Sequence, residues 1–119
     1  MQSNTTKDYF FTADYYGYIL VTSADGTVTE RQYNVVPQEV KTTLSINVTG
    51  DLVFDSLTKM QINSYIKNLR DRAGDEIYVG GEWIIVQTQP IIDPLGYKNG
   101  YRYRAKIIAG DVWWDDLVL

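Results

Sequence analysis

Residues 55–73 read DSLTKMQINSYIKNLRDRA, and the reading of this stretch separates an all-β chain from one that carries a helix. Met60, Ile62, Tyr65, Ile66 and Leu69 recur at three- and four-residue spacing, the period of one helix face. Asp55 or Ser56 can serve as N-cap, because a short side-chain oxygen accepts from the first free N–H groups. Gly74 stands where a left-handed residue closes a helix. Lys67, Arg70 and Arg72 lie in the last turns, where cations suit the dipole. The spacing predicts one α-helix over about residues 55–73.

Downstream, residues 74–87 read GDEIYVGGEWIIVQ. With Gly80-Gly81 as a tight turn, Tyr78 would lie opposite Trp83 and Ile77 opposite Ile84, both good cross-strand pairs. Pro90 and Pro94 predict a loop or an irregular edge. Asn99-Gly100 is a further turn signal. The chain then alternates: Tyr101, Tyr103, Ala105 and Ile107 share one face, and Arg102, Arg104 and Lys106 the other. This is the clearest strand of the sequence. Gly110-Asp111 reads as a turn, and VWWDDLVL follows.

Upstream, YYGYILVTSADGTVTERQYNVV (residues 15–36) reads as a hairpin with a type I′ turn at Asp25-Gly26. Pro37 ends its second strand or marks a bulge. Residues 40–50 are a third strand, broken by Gly50-Asp51, and LVF (residues 52–54) is a short further one. The sum predicts a mainly β fold: a small antiparallel β-barrel or sandwich with one inserted α-helix. The 119 residues suggest a single domain over 1–119. Residues 1–15 form a candidate mobile arm, and residues 111–119 a candidate tail.

The composition narrows the chemistry. Hydrophobic residues make up 45% and charged residues 22%, a balance suited to a packed core. No apolar run approaches the ~20 residues of a spanning helix, and the start MQSNTTKDYFF lacks the basic and apolar regions of a signal peptide, so no membrane contact is expected. The chain has no Cys and no His. Disulfides and thiolate metal sites are excluded, and a reducing compartment is expected. Without His there is no Ser-His-Asp triad and no HExxH zinc site. No phosphate-binding glycine loop is present. The adjacent pairs Asp75/Glu76 and Asp115/Asp116 would point to opposite faces of a strand, so neither pair converges on a substrate. No catalytic residue, metal or cofactor is expected. The net charge of −4 argues against general nucleic-acid binding, which needs a basic surface.

Two features suggest contacts with a partner. Arg102, Arg104 and Lys106 form a basic row that is either a solvated strand face or a contact for acids on a neighbour. Asp111, Asp115 and Asp116 of the same chain are candidate counter-charges. Trp113, Trp114, Asp115, Asp116, Leu117, Val118 and Leu119 form an apolar and acidic terminus. It is either a last strand packed on its own sheet or a tail that docks on a neighbour.

The order of elements, with GDEIYVGGEWIIV (residues 74–86) and GYRYRAKII (residues 100–108), resembles the small head–tail connector proteins of tailed bacteriophages, of the head-closure or stopper type. Trp83 occupies the aromatic place of that family's hairpin, and the likeness covers about residues 16–110. A helix as long as 55–73 departs from the family's simplest pattern. The resemblance implies a structural virion protein of the neck, assembled in the host cytoplasm, and no enzyme activity. It implies a homo-oligomeric ring (six or twelve copies) that closes the head after packaging. The ring would meet portal or adaptor on one side and tail proteins on the other, and packaged DNA would pass without specific binding. It also implies a small β-barrel whose loops reach neighbours. Another neck or tail component (a collar protein or tail terminator) and a small β-barrel that binds a ligand through its Tyr and Trp residues are the alternative readings.

Overall fold

The computed structural model describes residues 9–46, 51–77 and 79–109. Among the described residues nine strands follow in order: β1 (Phe11–Tyr16), β2 (Tyr18–Thr22), β3 (Thr29–Tyr33), β4 (Gln38–Thr42), β5 (Ser45–Ile46), β6 (Leu52–Ser56), β7 (Tyr65–Arg70), β8 (Glu82–Ile92) and β9 (Lys98–Ala109). Seven of them build one antiparallel sheet in the order β4-β1-β7-β8-β9-β6-β5, and β2 and β3 form a separate ribbon. The chain is mainly β, as its alternating segments predict.

The expected helix over 55–73 is absent; the segment holds the end of β6, a connection, and β7. A β-bulge accounts for the last step of the apparent helical period, from Ile66 to Leu69, while Met60 and Ile62 lie in the connection before β7. Thr12 pairs with Arg70 and Asp14 with Lys67, so Asn68 and Leu69 together oppose Ala13. Asn68 takes a left-handed φ of 53° here, a conformation that Asn tolerates better than most residues. One inserted residue resets the alternation, and Ile66 and Leu69, three apart, both enter the core. Ile62, a member of the proposed face, is 40% exposed. Gly74 closes a turn rather than a helix.

The Gly80-Gly81 hairpin is also corrected. Trp83 pairs with Ile66 and Ile84 with Tyr65, so β7 and β8 are the hairpin. Its closing turn is Asp71–Asp75: the Gly74 N–H donates to Asp71 O, the Asp71 N–H to Asp75 O, and the N–H groups of Ala73 and Asp75 to Asp71 Oδ1. The same four bonds recur between β8 and β9 in Asp93–Tyr97, centred on Asp93 and Gly96. Both turns follow an Asp-x-x-Gly-x pattern, in which the Asp side chain stands in for a backbone acceptor and Gly takes positive φ. Gly80, at φ 72°, turns a short excursion between the Glu76 bridge to Arg70 and the start of β8. Tyr78 lies outside the described residues.

Asn99-Gly100 is not a turn either. Both residues belong to β9, and the register slips between Pro90 and Ile92 of β8. Gly100 has φ 110°, and a Cβ there would stand 2.8 Å from Ser56 O. Pro90 lies in β8, in the stretch beyond the part paired with β7, so its missing N–H faces no strand. The early hairpin is present as β2–β3, but it turns over Ser23–Gly26, with the Gly26 N–H donating to Ser23 O, and not as a two-residue turn at Asp25-Gly26. Of the predicted strand 40–50, residues 40–42 end β4 and Ser45–Ile46 form β5, and residues 47–50 lie outside the described residues. Of residues 1–15, Phe11–Tyr15 lie in β1, which is paired on both sides by β4 and β7.

The sheet is not closed into a barrel. Its two ends approach where the Thr43 N–H donates to Asp55 O (2.9 Å), the Asp55 N–H to Thr43 Oγ1 (2.9 Å) and Ser56 Oγ to Lys41 O (2.8 Å), but no ladder joins them. Ala13, Tyr15, Val40, Leu52, Phe54, Ile66, Leu69, Trp83, Ile85, Tyr103 and Ala105 form one buried cluster. The connection 57–64 carries Met60 (2% exposed) into this core. Two tyrosine hydroxyls hold it there. The Tyr103 hydroxyl accepts from the Met60 N–H (2.7 Å) and donates to Thr58 O (2.8 Å). The Tyr15 hydroxyl accepts from the Gln61 N–H (2.8 Å). Buried backbone groups that cannot enter a ladder need such partners.

Candidate interaction surfaces

Alternation on β9 places the basic row as expected: Tyr103 and Ala105 are fully buried, while Arg102, Arg104 and Lys106 face outward. Among the described residues, acids on β6 and just before it answer Arg102 and Arg104. Arg102 pairs with Asp55 through Nε to Oδ1 (2.8 Å) and Nη2 to Oδ2 (3.2 Å). This fork geometry is the strong form of an Arg–carboxylate pair, and the hydrogen bond and charge of Asp55 push the Arg102 guanidinium above its ordinary pKa. Arg104 approaches Asp51 at 3.7 Å. The cause is register, since Asp55 lies directly opposite Arg102 across β6 and β9. Arg102 and Arg104 thus have acidic partners within the chain, and each side chain remains 49% exposed. With Val53, Gln87, Gln89 and Tyr103 they rim a shallow depression of about 140 Å³. Trp113, Trp114, Asp115, Asp116, Leu117 and Leu119 lie outside the described residues, as does Asp111.

Of the residues assigned to the structural hairpin, Trp83 is core at 1% exposure, and Gly80 and Gly81 belong to the excursion before β8. Among the described residues no three acidic side chains converge to hold a metal ion.

The surface the sequence reading passed over is the β2–β3 ribbon. Neither strand has a buried residue. Ile19 is 60% exposed, Leu20 65%, Val35 92% and Val36 76%. Its base is fixed to the body by aromatic and polar contacts. Tyr18 meets Tyr33 edge to face at 5.3 Å, and Tyr33 meets Tyr65 at 4.8 Å. Tyr18 OH donates to Ile62 O (2.9 Å) and Tyr33 OH to Asn63 O (2.7 Å). Burial, then the hydrogen bond with Tyr65, pushes the Tyr33 phenol up. Gly17 lets Gln61 come close, since a Cβ there would stand 2.9 Å from Gln61 Oε1. Beside the base, Ile19, Gln32, Tyr33, Asn34, Val35 and Val36 line a groove of about 430 Å³. At the tip, Asp25 Oδ1 accepts from Ser23 Oγ (2.6 Å), Thr27 Oγ1 (2.7 Å) and the Thr27 N–H (3.1 Å), which holds its pKa down at about 2.

A second projection is the distal β8–β9 hairpin, where Ile92 (54%), Leu95 (82%) and Tyr97 (68%) are exposed. The molecule is thus a packed β body with two hairpin arms whose apolar side chains are uncovered. The sequence held a signal for the first arm. Ile19, Leu20 and Val21 are consecutive, and a strand with only one covered face buries alternate residues. Comparison with protein-family models, with curated proteins and with solved structures finds no match.

Proposed function

We propose that this chain is a structural protein of the tailed-phage neck, of the head-closure type. In this reading it forms a homo-oligomeric ring between portal or adaptor and tail, with its arms meeting neighbouring subunits. The observation that carries the reading is the pair of uncovered hairpin arms on an antiparallel β body. A two-stranded ribbon with both faces in water is marginal by itself, so its apolar side chains suit a partner. The sequence resemblance supplies the kind of assembly. A ring needs a heterologous contact, one patch meeting a different patch on the next copy, and arms on a rigid body offer unlike patches. The net charge of −4 suits a channel that passes DNA without holding it.

The test is peptide mass spectrometry of purified particles from the source culture, followed by capture with an N-terminally tagged chain. Recovery in particles at constant stoichiometry, with portal, adaptor or tail proteins captured, supports the neck role. Absence from particles refutes it and makes the groove beside Val35 and Val36 the place to look for a small ligand.

A further inference from the structure

We infer that the free protein pairs with a second copy of itself through the outer edge of β2. The backbone of β2 shows which groups are available. The Tyr18 N–H donates to Gln61 Oε1 (2.9 Å), and Gln61 Nε2 donates to Tyr18 O (3.0 Å). The polar groups of Tyr18 therefore point away from β3, and a glutamine side chain occupies them in the manner of a neighbouring strand. In an antiparallel ladder successive residues alternate in direction. Ile19 and Val21 thus turn toward β3, and Leu20 and Thr22 turn outward. Among the described residues, none gives the two outward residues after Tyr18 the cap that Gln61 gives to Tyr18.

This edge is also unguarded. Exposed strands ordinarily carry charge, Pro or a bulge to prevent pairing. β3 has Glu30 and Arg31 at its centre, the free part of β8 has Pro90, and β4 has Glu39 and Lys41. β2, Tyr-Ile-Leu-Val-Thr, has none of these.

The occupant follows from self-complementarity. Two antiparallel β2 strands centred on Val21 place Leu20 of each copy opposite Thr22 of the other. The N–H and C=O of both residues are then all bonded, and Gln61 keeps its place on Tyr18. Val21 meets Val21 at the two-fold axis, flanked by Ile19 of both copies, and no charge faces a like charge. Glu30, opposite Val21 on β3, and Arg31, opposite Leu20, form a polar rim one strand further out. The product is a four-stranded ribbon, β3-β2-β2-β3, which exceeds the minimum for a stable sheet. A two-fold contact saturates at two copies, so this pairing is separate from any ring contact and does not rest on the neck reading.

The experiment is sedimentation equilibrium and native mass spectrometry of the full chain, with Val21→Lys, Val21→Glu and their equimolar mixture. Residue 21 is already 43% exposed, so neither change disturbs the core. A concentration-dependent dimer is expected for the wild type. Each single variant should weaken it by about tenfold or more, through like charges at the axis. The mixture should restore a dimer holding one copy of each variant, because Lys then faces Glu. A wild type that stays monomeric, a dimer indifferent to both variants, or a mixture that fails to pair would each overturn the inference.

Discussion

Replacing Tyr103 by Phe tests how the connection 57–64 is held on the core. The ring stays; only the hydroxyl is lost. Tyr103 is fully buried, and its ring stacks on Phe54 at a centroid distance of 5.4 Å, so packing changes little. The hydroxyl accepts from the Met60 N–H and donates to Thr58 O. Its removal leaves a buried N–H without a partner, at about 1–3 kcal/mol, and loses a second hydrogen bond worth about 1 kcal/mol. The expected loss is about 2–4 kcal/mol in a urea melt, with the slope of the transition unchanged. The same residue predicts an alkaline limit. Burial pushes the Tyr103 phenol up, while in the unfolded chain it titrates near its ordinary value of about 10. Above that pH the unfolded state binds fewer protons than the native state, so stability is complete below about pH 10 and falls as pH rises through the folded value. Tyr103→Phe should flatten this alkaline decline, whereas a surface substitution such as Tyr97→Phe should leave it. A loss under about 0.5 kcal/mol, or an alkaline limb of unchanged steepness in the variant, would refute the claim that this hydroxyl anchors the connection.

Three further outcomes are expected. Trp83→Ala empties the centre of the core and should cost about 3–5 kcal/mol; a denaturant midpoint close to wild type would contradict the core assignment. Arg102→Ala leaves Asp55 buried without its forked partner. Because Arg102 is half exposed, about 1–2 kcal/mol is expected, between surface and buried pairs, and the loss should shrink when Asp55 is also replaced by Asn. Gly100→Ala adds a Cβ 2.8 Å from Ser56 O at a positive φ. A loss of about 2 kcal/mol is expected, and retention of the wild-type melting temperature would show that β9 can shift past β6.

Much of the β character was legible in the chain itself. The alternation of Tyr101 to Ile107 predicted the buried and wet faces of β9, because side-chain direction in a strand depends only on position parity. The pairing of β2 with β3 was legible for a similar local reason. The Asp-x-x-Gly-x turns at Asp71 and Asp93 were equally local, and the glycine and proline signals around them drew attention to the wrong positions. Pairing partners were less accessible: the excursion between Glu76 and Glu82 makes Ile66, and not Tyr78, the partner of Trp83, and no local rule reports it.

Residues 60–69 show the limit most clearly. A helix and a bulged strand both bring residues three apart to one face, and the period alone is the same. The choice was made by β1, whose free backbone edge binds β7 and whose Ala13 faces the bulge at Asn68 and Leu69. Exposure followed the same division. By itself, the sequence determined which residues are apolar and which faces of β9 are buried and wet, since these depend on neighbours along the chain, whereas its turn signals at Gly80-Gly81 and Asn99-Gly100 fell at the wrong positions. Only the tertiary structure decided that Asp55 answers Arg102, that two tyrosine hydroxyls hold Met60 in the core, and that Ile19, Leu20 and Val21 remain uncovered. Each of these depends on which distant segment arrives at a given face, and the chain's local chemistry does not encode that alone.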